Sequence, residues 1–448
     1  MKSDRIHNLS KRRDIKGRFI MYWMQASQRT EENPALEIAK QEAKRNSLPL
    51  MVLFVFNTDY PSANLRNFSF MIDGLKAVKS KLKEMGIRFT VLEGNPTEIV
   101  PRASRNCALI VTDVGYLRHQ IAWRREIAKA SSCPVIAVEA NVVVPVKAAS
   151  NKEEYSAATF RPRVLSRVQD FITDFESIVF EPGDPVTDFE TTFDLDNPDL
   201  SNIDHTASVV SNFPGGQEEA NRHLEIFLET KIDRFEKERN DPNCDCLSEM
   251  SPFLHFGQIS PCLIARRVME SGSSGIEAYL EELIVRRELS MNFVFYNSRY
   301  DSFEALPPWA QKTLNEHRSD RREYVYSLSE LEDGMTHDPY WNAAQREMVV
   351  KGKMHGYMRM YWGKKILEWS PDPETAISSA IYLNDKYELD GRDPNGYSGI
   401  LWCFGKHDRA WAERSVFGKV RYMNSNGLKR KFDADAYVQK ISSLTSKE

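Results

Sequence analysis

Short apolar runs recur through the first third of the chain, each bounded by polar or turn residues. They are residues 19–24, 49–56, 88–92, 108–112 and 134–138. Apolar runs of this length are typical of strands that are buried on both faces of a sheet. Between them lie helical patterns, two of which open with an Asn-Pro pair that supplies an N-cap and a first-turn proline. This alternation predicts a Rossmann-like, doubly wound parallel sheet.

The pattern changes twice after the predicted sheet. Residues 176–215 are acidic, rich in Pro, Asp and Ser, and without sustained periodicity, which we interpret as part of a long surface linker. From residue 216 onward the apolar positions follow helical spacing almost throughout. The predicted fold class is therefore α/β plus all-α, with an α/β domain at 18–148, a linker at 149–215 and an α-helical domain at 216–448.

Composition narrows the class of protein. The chain has 448 residues, 41% of them hydrophobic, and a net charge of −4, so two or three ordinary domains are expected. The six cysteines are scattered without zinc spacing, which favours a reduced intracellular protein without a metal site. No apolar run reaches the length of a membrane span. Residues 1–19 lack the apolar core of a signal peptide, and we expect them to form a loose basic arm.

Local charge is more informative than net charge. The final quarter carries basic clusters interleaved with aromatic residues, as in "WGKKI" and "GKVRYM", a pattern seen in nucleic-acid binding. Residues 383–411 combine polar groups with large aromatics. This composition suits a ligand pocket, although a surface loop is the simpler interpretation. No G-x-G-x-x-G or Walker loop identifies a nucleotide site.

One helical segment, residues 353–369, is unusually rich in aromatic residues. Trp362 and Trp369 are seven residues apart, which places them on one helix face about 10.5 Å apart along the axis. Trp341 lies shortly upstream. Core packing is the favoured interpretation on spacing alone. A row of easily oxidised rings has a second use as an electron relay, and each buried indole N–H needs a partner.

Seven motifs in this order carry a family resemblance: "LSEMSPFLHFGQIS", "YLEELIVRREL", "DPYWNAAQ", "GKMHGYMRMYWGKKILEW", "LNDKYELDGRDPNGY", "HDRAW" and "GKVRYMN". Together they resemble the class II cyclobutane pyrimidine dimer (CPD) photolyases of the photolyase/cryptochrome family, from about residue 18 to the C-terminus. The resemblance implies light-driven repair of pyrimidine dimers in DNA, with excited reduced FAD donating an electron to a flipped-out dimer.

The resemblance implies a set of FAD contacts in the helical domain. Arg359 and Asp390 are expected to form a salt bridge beside the isoalloxazine, and Asn384 to face flavin N5. The motif around Ser248 and Ser251 is expected to meet the phosphates and ribitol. The full expected set is Phe235, Leu247, Ser248, Glu249, Met250, Ser251, Trp341, Asn342, Gln345, His355, Arg359, Asn384, Asp390 and Asn395.

The resemblance also assigns electron transfer and DNA recognition. Trp362 is expected nearest the flavin, with Trp341 and Trp369 leading outward. Glu282, Met360, Tyr357 and Trp402 are expected at the lesion, because a dimer must leave the duplex to be reached. The expected DNA contacts are Arg239, Arg286, Lys406, Arg409, Trp411 and Arg421. Two positions depart from many relatives: Phe235, where they carry Tyr, and Arg286, where some carry Trp.

Three functions compete at this point. The first is a repair enzyme acting on UV-damaged duplex or single-stranded DNA, as a monomer, in the cytoplasm or nucleoid or in a nucleus. The second is a cryptochrome-like photoreceptor without repair activity, which Glu282, Met360 and Trp402 disfavour. The third is an aromatic-rich module for single-stranded nucleic acid, which has no use for paired Arg359 and Asp390. A second antenna chromophore of deazaflavin type is an expectation for the α/β domain, although no motif identifies one.

Overall fold

The computed structural model describes residues 3–172, 177–181, 183, 186 and 189–444, and these fall into two compact units. The first, here called the sheet unit, lies within Met1–Asn151, Arg163–Ile226 and Glu249–Gly272. The second, the helical unit, lies within Lys152–Pro162, Phe227–Ser248 and Ser273–Glu448. The residue boundaries of the domains expected from the sequence stay a prediction.

The sheet unit contains one six-stranded sheet. Its strands are β1 Ile6–Asn8, β2 Phe19–Met24, β3 Leu50–Phe56, β4 Arg88–Glu93, β5 Cys107–Asp113 and β6 Val135–Val138. Their order across the sheet is β1-β6-β5-β2-β3-β4. Strands β2 to β6 pair in parallel, and β1 pairs antiparallel with β6 at the edge. The five predicted strands are therefore confirmed to within two residues at each end.

Strand β2 shows why an unbroken apolar run predicted a central strand. All six of its side chains are buried. Ile20 and Tyr22 pack in one apolar cluster, whereas Met21 and Trp23 pack in the other. Successive side chains of a strand point to opposite faces, so both faces of the sheet are covered, as the doubly wound prediction requires.

Helices connect the strands and make up nearly all of the remaining regular structure. The first six are α1 Pro34–Asn46, α2 Leu65–Glu84, α3 Pro96–Ala103, α4 Arg118–Ala130, α5 Val146–Ala149 and α6 Ala157–Phe171. The predicted N-caps are confirmed: the side chain of Asn33 accepts from the N–H groups of Ala35 and Leu36, and that of Asn95 from Thr97.

The N-terminal segment is not the loose arm that its charge suggested. Strand β1 pairs with β6, and Arg5 is only 5% exposed. The Arg5 guanidinium donates to the carbonyl oxygens of Glu139, Val142 and Val143 at 3.0, 3.0 and 2.6 Å. A short strand and one buried arginine therefore fix this segment to the sheet, and three residues are too few for periodicity to reveal.

The segment predicted to be a linker contains packed structure. Helix α6 lies within it, and Phe193, which is 3% exposed, stacks on Phe56 with ring centroids 3.8 Å apart. The N–H of Thr192 also donates to the carbonyl oxygen of Val91 at 3.0 Å. The interpretation as a surface linker is therefore wrong for this stretch. Residues 173–176, 182, 184–185 and 187–188 of the predicted linker lie outside the described residues.

From residue 217 onward the regular secondary structure of the described chain is helical, as predicted, apart from one isolated bridge between Arg414 and Gly418. The α-helices are α7 Gln217–Thr230, α8 Ile232–Glu238, α9 Ser251–His255, α10 Pro261–Glu270, α11 Ile276–Leu280, α12 Arg287–Tyr296, α13 Pro308–Glu316, α14 Leu328–Glu332, α15 Pro339–Lys351, α16 Gly356–Trp369, α17 Pro373–Tyr387, α18 Pro394–Trp402, α19 Ser425–Lys431 and α20 Ala434–Ser442. A π-helical turn, Glu281–Arg286, joins α11 to α12. Among the helices described, none combines the length and apolarity needed to cross a membrane.

Candidate functional site

Three tryptophans form a continuous row of rings in the helical unit. Trp341 lies on α15, and Trp362 and Trp369 lie on α16. The Trp362 and Trp341 rings stack with centroids 6.3 Å apart and planes at 5°, and Trp341 meets Trp369 edge to face at 5.7 Å. None of the three is more than 2% exposed. The contacts order the row as Trp362, Trp341 and Trp369.

Hydrogen bonds hold the first two rings in place. The Trp362 Nε1–H donates to Gln345 Oε1 at 2.9 Å, and the Trp341 Nε1–H donates to the Trp362 carbonyl at 3.0 Å. The Gln345 amide in turn donates to the carbonyl of Glu332 at 3.2 Å. Each buried indole N–H of this pair therefore has the partner that its burial requires, and Gln345 supports the row.

Aromatic contacts continue beyond Trp369. Its ring centroid lies 5.3 Å from those of both Tyr326 and His337. His337 stacks on Tyr324 at 3.7 Å, and Tyr324 is 39% exposed. The row thus reaches an exposed ring. Sequence reasoning missed these three side chains, although Tyr324 and Tyr326 lie close together in "REYVYSL".

Arg359 carries a partly buried positive charge one helical turn before Trp362, with 22% of its side chain exposed. Its Nη2 lies 3.2 Å from Glu388 Oε1. Burial lowers the pKa of Arg359, but the charges of Glu388 and Asp390 outweigh that effect and raise it. Burial raises the pKa of Glu388 to about 8, against the opposing effect of Arg359. Sequence reasoning named Asp390 and missed Glu388, which lies two residues earlier in "YELDG".

The Arg359 side chain has a hydrogen-bond donor available for a ligand. The Arg359 Nε is buried without a hydrogen-bond partner, although a buried polar atom normally has one. An unused donor on α16 fits the predicted flavin.

The two predicted asparagines near this charge are differently placed. Asn384 is 2% exposed, and its Nδ2 donates to Asp385 Oδ1 at 3.1 Å. A Cβ at Gly396 would lie only 3.1 Å from that Nδ2, so glycine at this position makes room for the amide. Asn395 is exposed and accepts from the Ser290 hydroxyl at 2.9 Å. The structure thus fixes Asn384 in the interior and leaves Asn395 at the surface.

Asn342 has a local structural role, and its contact with the flavin stays a prediction. Its Oδ1 accepts from the Thr336 N–H and hydroxyl at 3.1 and 2.7 Å, and its Nδ2 donates to the Thr336 carbonyl at 2.8 Å. These bonds use both ends of the amide to hold the loop before α15. His355 has a capping role: its Nδ1 accepts from the Tyr357 N–H at 3.2 Å at the start of α16.

Phe235 lies in an aromatic cluster that contains a residue sequence reasoning missed. Its ring contacts those of Phe227 and Tyr279 at 5.7 and 5.3 Å. The Tyr279 hydroxyl donates to Ser248 Oγ at 3.1 Å. Phe235 has no hydroxyl, but Tyr279 places one on a serine predicted to meet the FAD phosphates. Its signal in the sequence is weak, since "EAYLEE" reads as an ordinary helix.

The predicted phosphate-binding motif, residues 247–251, contains one residue with an unusual backbone conformation. Glu249 has a φ of 60°, in the left-handed region that non-glycine residues seldom adopt. Met250 is 2% exposed. The contacts of these residues with a phosphate stay a prediction.

Cations and indoles alternate among the predicted DNA-binding residues. Lys364 Nζ lies 5.0 Å from the ring centre of Trp402, and the Arg421 guanidinium lies 5.6 Å from the same ring. Arg421 also lies 5.0 Å from the ring of Trp411, as does Arg409. We call Lys364, Trp402, Arg421, Trp411 and Arg409 the cation–indole series. Sequence reasoning named four of them and missed Lys364.

The predicted lesion residue Glu282 lies in the π-helical turn and forms an ion pair with Arg239. Both are predicted site residues, and the structure brings them together. Arg286, at the end of the same turn, pairs instead with Glu281 at 2.9 Å, and Glu281 also pairs with Arg161 at 2.7 Å. Arg286 is thus an exposed cation with a carboxylate partner.

Tyr357 and Met360 have partly buried side chains near the start of α16. The Tyr357 ring meets Phe432 edge to face at 5.7 Å. The Met360 carbonyl accepts from Cys403 Sγ at 3.7 Å. These contacts fix their helix but leave their predicted role at the lesion untested.

Lys406 requires a correction. It was expected to contact a DNA phosphate, but it is 6% exposed and forms an ion pair with Glu153. Its ammonium also donates to the Ala305 carbonyl at 3.0 Å and lies 4.3 Å from the ring centre of Phe293. A buried ammonium with these partners is a structural group, because exposing it to a phosphate would leave Glu153 without its cation.

No group of three or more His, Cys, Asp or Glu side chains that could hold a metal ion occurs within the described ranges.

Comparison with known proteins shows that this chain is similar to DNA photolyases. Residues 20–178 match a family model described as DNA photolyase. The chain is 51% identical over 454 residues to the deoxyribodipyrimidine photo-lyase of Methanothermobacter thermautotrophicus, covering 99% of each chain. It is 40% identical over 445 residues to the enzyme of the same name from Arabidopsis thaliana, covering 95% of this chain and 89% of that one.

A solved structure shows the same fold at low sequence identity. The archaeal photolyase from Sulfolobus tokodaii, solved with two FAD molecules, superposes with a TM-score of 0.72 at 17% identity. The match covers 95% of this chain and 91% of that one. This similarity supports the α/β plus all-α architecture.

Proposed function

The chain belongs to the DNA photolyase family, and we propose that it is a class II deoxyribodipyrimidine photo-lyase that reverses cyclobutane pyrimidine dimers. Family membership rests on 51% identity over nearly the whole length of one relative. Light-driven DNA repair follows from that membership. Assignment to class II, and to the cyclobutane dimer as substrate, is supported by the seven motifs between Leu247 and Asn424.

FAD is the cofactor that the family implies, and the residues of the helical unit fit it. Arg359 and Asn384 would lie at the isoalloxazine, with Glu388 and Asp390 holding the guanidinium. Ser248, supported by Tyr279, would meet a phosphate. When bound and reduced, FAD supplies the light-excited electron that opens the cyclobutane ring of the dimer. The unused Arg359 Nε is a donor that such a ligand would satisfy.

The protein contributes electrostatics around that site. The guanidinium of Arg359 is a fixed, permanently charged donor, and a positive charge beside a flavin ring favours its anionic, reduced form. Because burial raises the pKa of Glu388 to about 8, this residue can hold a proton at neutral pH, and Asp390 then remains as a negative charge acting on Arg359. Asn384 offers a neutral amide in a buried position.

The tryptophan row connects the interior with the surface. Trp362, Trp341 and Trp369 are in unbroken ring contact, and Tyr326, His337 and Tyr324 extend it to an exposed ring. Rings in contact at these distances conduct single electrons, so the row is the proposed path for reducing the enzyme from outside.

DNA recognition is assigned to the lesion residues and the cation–indole series. Trp402 and Tyr357 offer aromatic faces to the flipped pyrimidines, with Met360 beside them. Glu282 offers a carboxylate to their polar edges. Arg239, Arg409 and Arg421 would contact phosphates, and Trp411, which is 39% exposed, would fill the space left in the duplex. Such an enzyme works where its DNA lies, in a nucleoid or a nucleus.

A second chromophore in the sheet unit also remains a proposal. The Sulfolobus tokodaii photolyase was solved with two FAD molecules, and doubly wound sheets bind ligands beyond the carboxyl ends of their strands. Extraction of the chromophores from purified protein, followed by absorption spectroscopy, would identify a deazaflavin or a second flavin.

The single observation that carries the function is the buried, hydrogen-bonded tryptophan row in a chain of this family. The test is to purify the protein, confirm flavin absorption, reduce it and illuminate it with an oligonucleotide that contains one thymine dimer. Chromatography should show intact thymines formed in the light and not in the dark. Flavin binding without loss of dimers would instead support a cryptochrome-like photoreceptor, and absence of flavin would end both proposals.

A further inference from the structure

Lys364 is a buried cation without a carboxylate partner. It lies on α16 with 0% exposure. Its ammonium donates to the Cys403 carbonyl at 2.6 Å and lies 5.0 Å from the ring centre of Trp402. Among the residues that the structure describes, no carboxylate lies within ion-pair distance of it. The neighbouring Lys365, by contrast, pairs with Glu368 at 2.6 Å.

A buried ammonium without an ion pair is costly, because it loses its hydration and gains no opposite charge. A methionine of similar length would fill the same space without that cost. A cation retained at such a position therefore needs a reason beyond packing. The indole face of Trp402 supplies one, since desolvated cation–π contacts are stronger than exposed ones.

Lys364 is the buried end of the cation–indole series. Trp402 contacts both Lys364 and Arg421, and Arg421 and Arg409 both contact Trp411. The series runs from a fully buried ammonium to an indole that is 39% exposed. Its outer members are exposed side chains whose positions depend on one another, whereas Lys364 is held by helix α16 and by the Cys403 carbonyl.

We infer that Lys364 is a positioning residue whose positive charge fixes the indole of Trp402 for recognition of the flipped-out dimer. This inference rests on the proposed function, in which Trp402 lies against the lesion. Lys364 itself would touch neither DNA nor cofactor. It would act through the ring that it contacts, and removing its charge would weaken binding of damaged DNA more than binding of undamaged DNA.

The charge of Lys364 should be sensitive to pH. Its pKa is lowered to about 8, mainly by burial; Cys403 and Asp408 oppose this shift, and the charge of Arg421 contributes to it. Burial also raises the pKa of Cys403 to about 11, so this thiol stays neutral while Lys364 titrates. The ammonium is therefore the group facing Trp402 that loses its proton as pH rises through 8.

As pH rises, the stability of the folded protein should increase while its affinity for damaged DNA falls. Because the folded pKa of Lys364 is below that of a free lysine, the unfolded chain binds this proton more tightly. The charged side chain therefore destabilises the fold at neutral pH. Lys364→Met should be at least as stable as the wild type at pH 7, even though it binds damaged DNA more weakly. If Lys364 had only a structural role, Lys364→Met would lose both stability and affinity for damaged DNA.

The test compares wild type, Lys364→Met, Lys364→Arg and the control Lys386→Met, which removes a lysine paired with Glu332. Dissociation constants are measured in the dark, at fixed ionic strength, for duplexes with and without one thymine dimer, from pH 6.5 to 9.5. Wild-type affinity for the dimer should fall about tenfold across pH 8. Lys364→Met should bind the dimer-containing duplex weakly at all pH values. Lys364→Arg should bind it well, with an affinity that does not change with pH.

The outcomes separate this inference from the proposed function. If Lys364→Met binds dimer-containing DNA as tightly as the wild type, or keeps the same pH profile, the inference is wrong. If the wild type itself neither binds nor repairs dimers, the proposed function is wrong. Thermal unfolding of each variant at pH 7 shows whether it is folded, and the wild-type pH profile tests the inference without any substitution.

Discussion

Two arginine–carboxylate pairs, one in each unit, have a fully buried carboxylate and differ in how fully their hydrogen bonds are satisfied. In the sheet unit, Arg124 donates to the Asp113 carbonyl and carboxylate at 2.6 and 2.8 Å, and to the Gln120 carbonyl at 3.0 Å. In the helical unit, Arg359 lies 3.2 Å from Glu388, and its Nε has no hydrogen-bond partner. The first pair is complete, and the second retains a donor.

The carboxylates of the two pairs also differ in how well their surroundings stabilise a negative charge. Asp113 Oδ2 accepts from the backbone N–H groups of Gln25, Ala26 and Ser27, each at 3.0 Å. Glu388 is buried enough that its pKa is raised to about 8. One pair therefore stabilises a fold, whereas the other keeps both a donor and a titratable proton available. Burial of an ion pair does not by itself indicate function; incomplete satisfaction does.

The largest effect should come from breaking the complete pair. Asp113→Ala would leave Arg124 buried without its carboxylate and remove the acceptor of three backbone N–H groups. We expect a loss of about 3–5 kcal/mol in the free energy of unfolding, measured by urea denaturation. Repair per folded molecule should be unchanged. A loss below about 1 kcal/mol would show that the sheet-unit pair resembles an exposed salt bridge.

Breaking the incomplete pair should act on ligand binding instead. Arg359→Met removes the donor proposed to face the flavin, and FAD affinity should fall by about 1.5–3 kcal/mol, or tenfold to a hundredfold. The free energy of unfolding of the flavin-free protein should change less than in Asp113→Ala, because Glu388 can take up a proton. Fluorescence titration with FAD measures the affinity. Equal FAD affinity in variant and wild type would contradict the assignment of Arg359.

The tryptophan row allows a sharper test, because it predicts a change in one rate only. Trp341→Phe interrupts the contact between Trp362 and Trp369, so photoreduction should slow by at least about tenfold, or about 1.4 kcal/mol in its barrier. Repair by chemically reduced enzyme should remain. Trp309→Phe, which changes a tryptophan outside the row, is the matched control. Photoreduction at the wild-type rate in Trp341→Phe would remove the row from the path.

Glu388 should also make stability depend on pH, by an amount that is small over any single pH unit. Because the folded pKa of Glu388 is about 8 and its ordinary value 4.5, the folded state holds this proton over an interval in which the unfolded chain has lost it. Glu388 thus makes stability fall as pH rises from 4.5 to 8, by at most about 1.4 kcal/mol per pH unit. Glu388→Gln should remove this slope, and the exposed Glu316→Gln should keep it. Denaturation at several pH values measures both.

The sequence predicts the sheet unit better than the site, for a physical reason. The buried strands were found because every residue of β2 or β5 is buried, so that local composition reports tertiary position. Strand β1 was missed because its three residues carry no period. Phe193 was missed because a single buried ring in a polar segment looks like linker composition.

The helical unit shows the limit of local patterns most clearly at Lys364 and Lys365. They are adjacent and identical, yet one is paired with Glu368 and the other faces Trp402 across the fold. Helical periodicity found their helix, and family motifs named most of the site, but the contacts of Lys364 and Glu388 depend on segments distant in sequence. Lys406 was placed wrongly for the same reason, since its partner Glu153 lies far upstream.

The π-helical turn Glu281–Arg286 has a consequence for how this chain tolerates changes in length. A π turn amounts to one extra residue accommodated within an α-helix. Deleting a single residue there would let the turn relax to ordinary helix without changing the phase of α12 relative to α11, so Leu289 and Phe293 would stay buried. Deleting one residue within α12 would instead rotate the residues beyond it by about 100°. Glu282 therefore lies at the point of this helix where the loss of one residue is best tolerated.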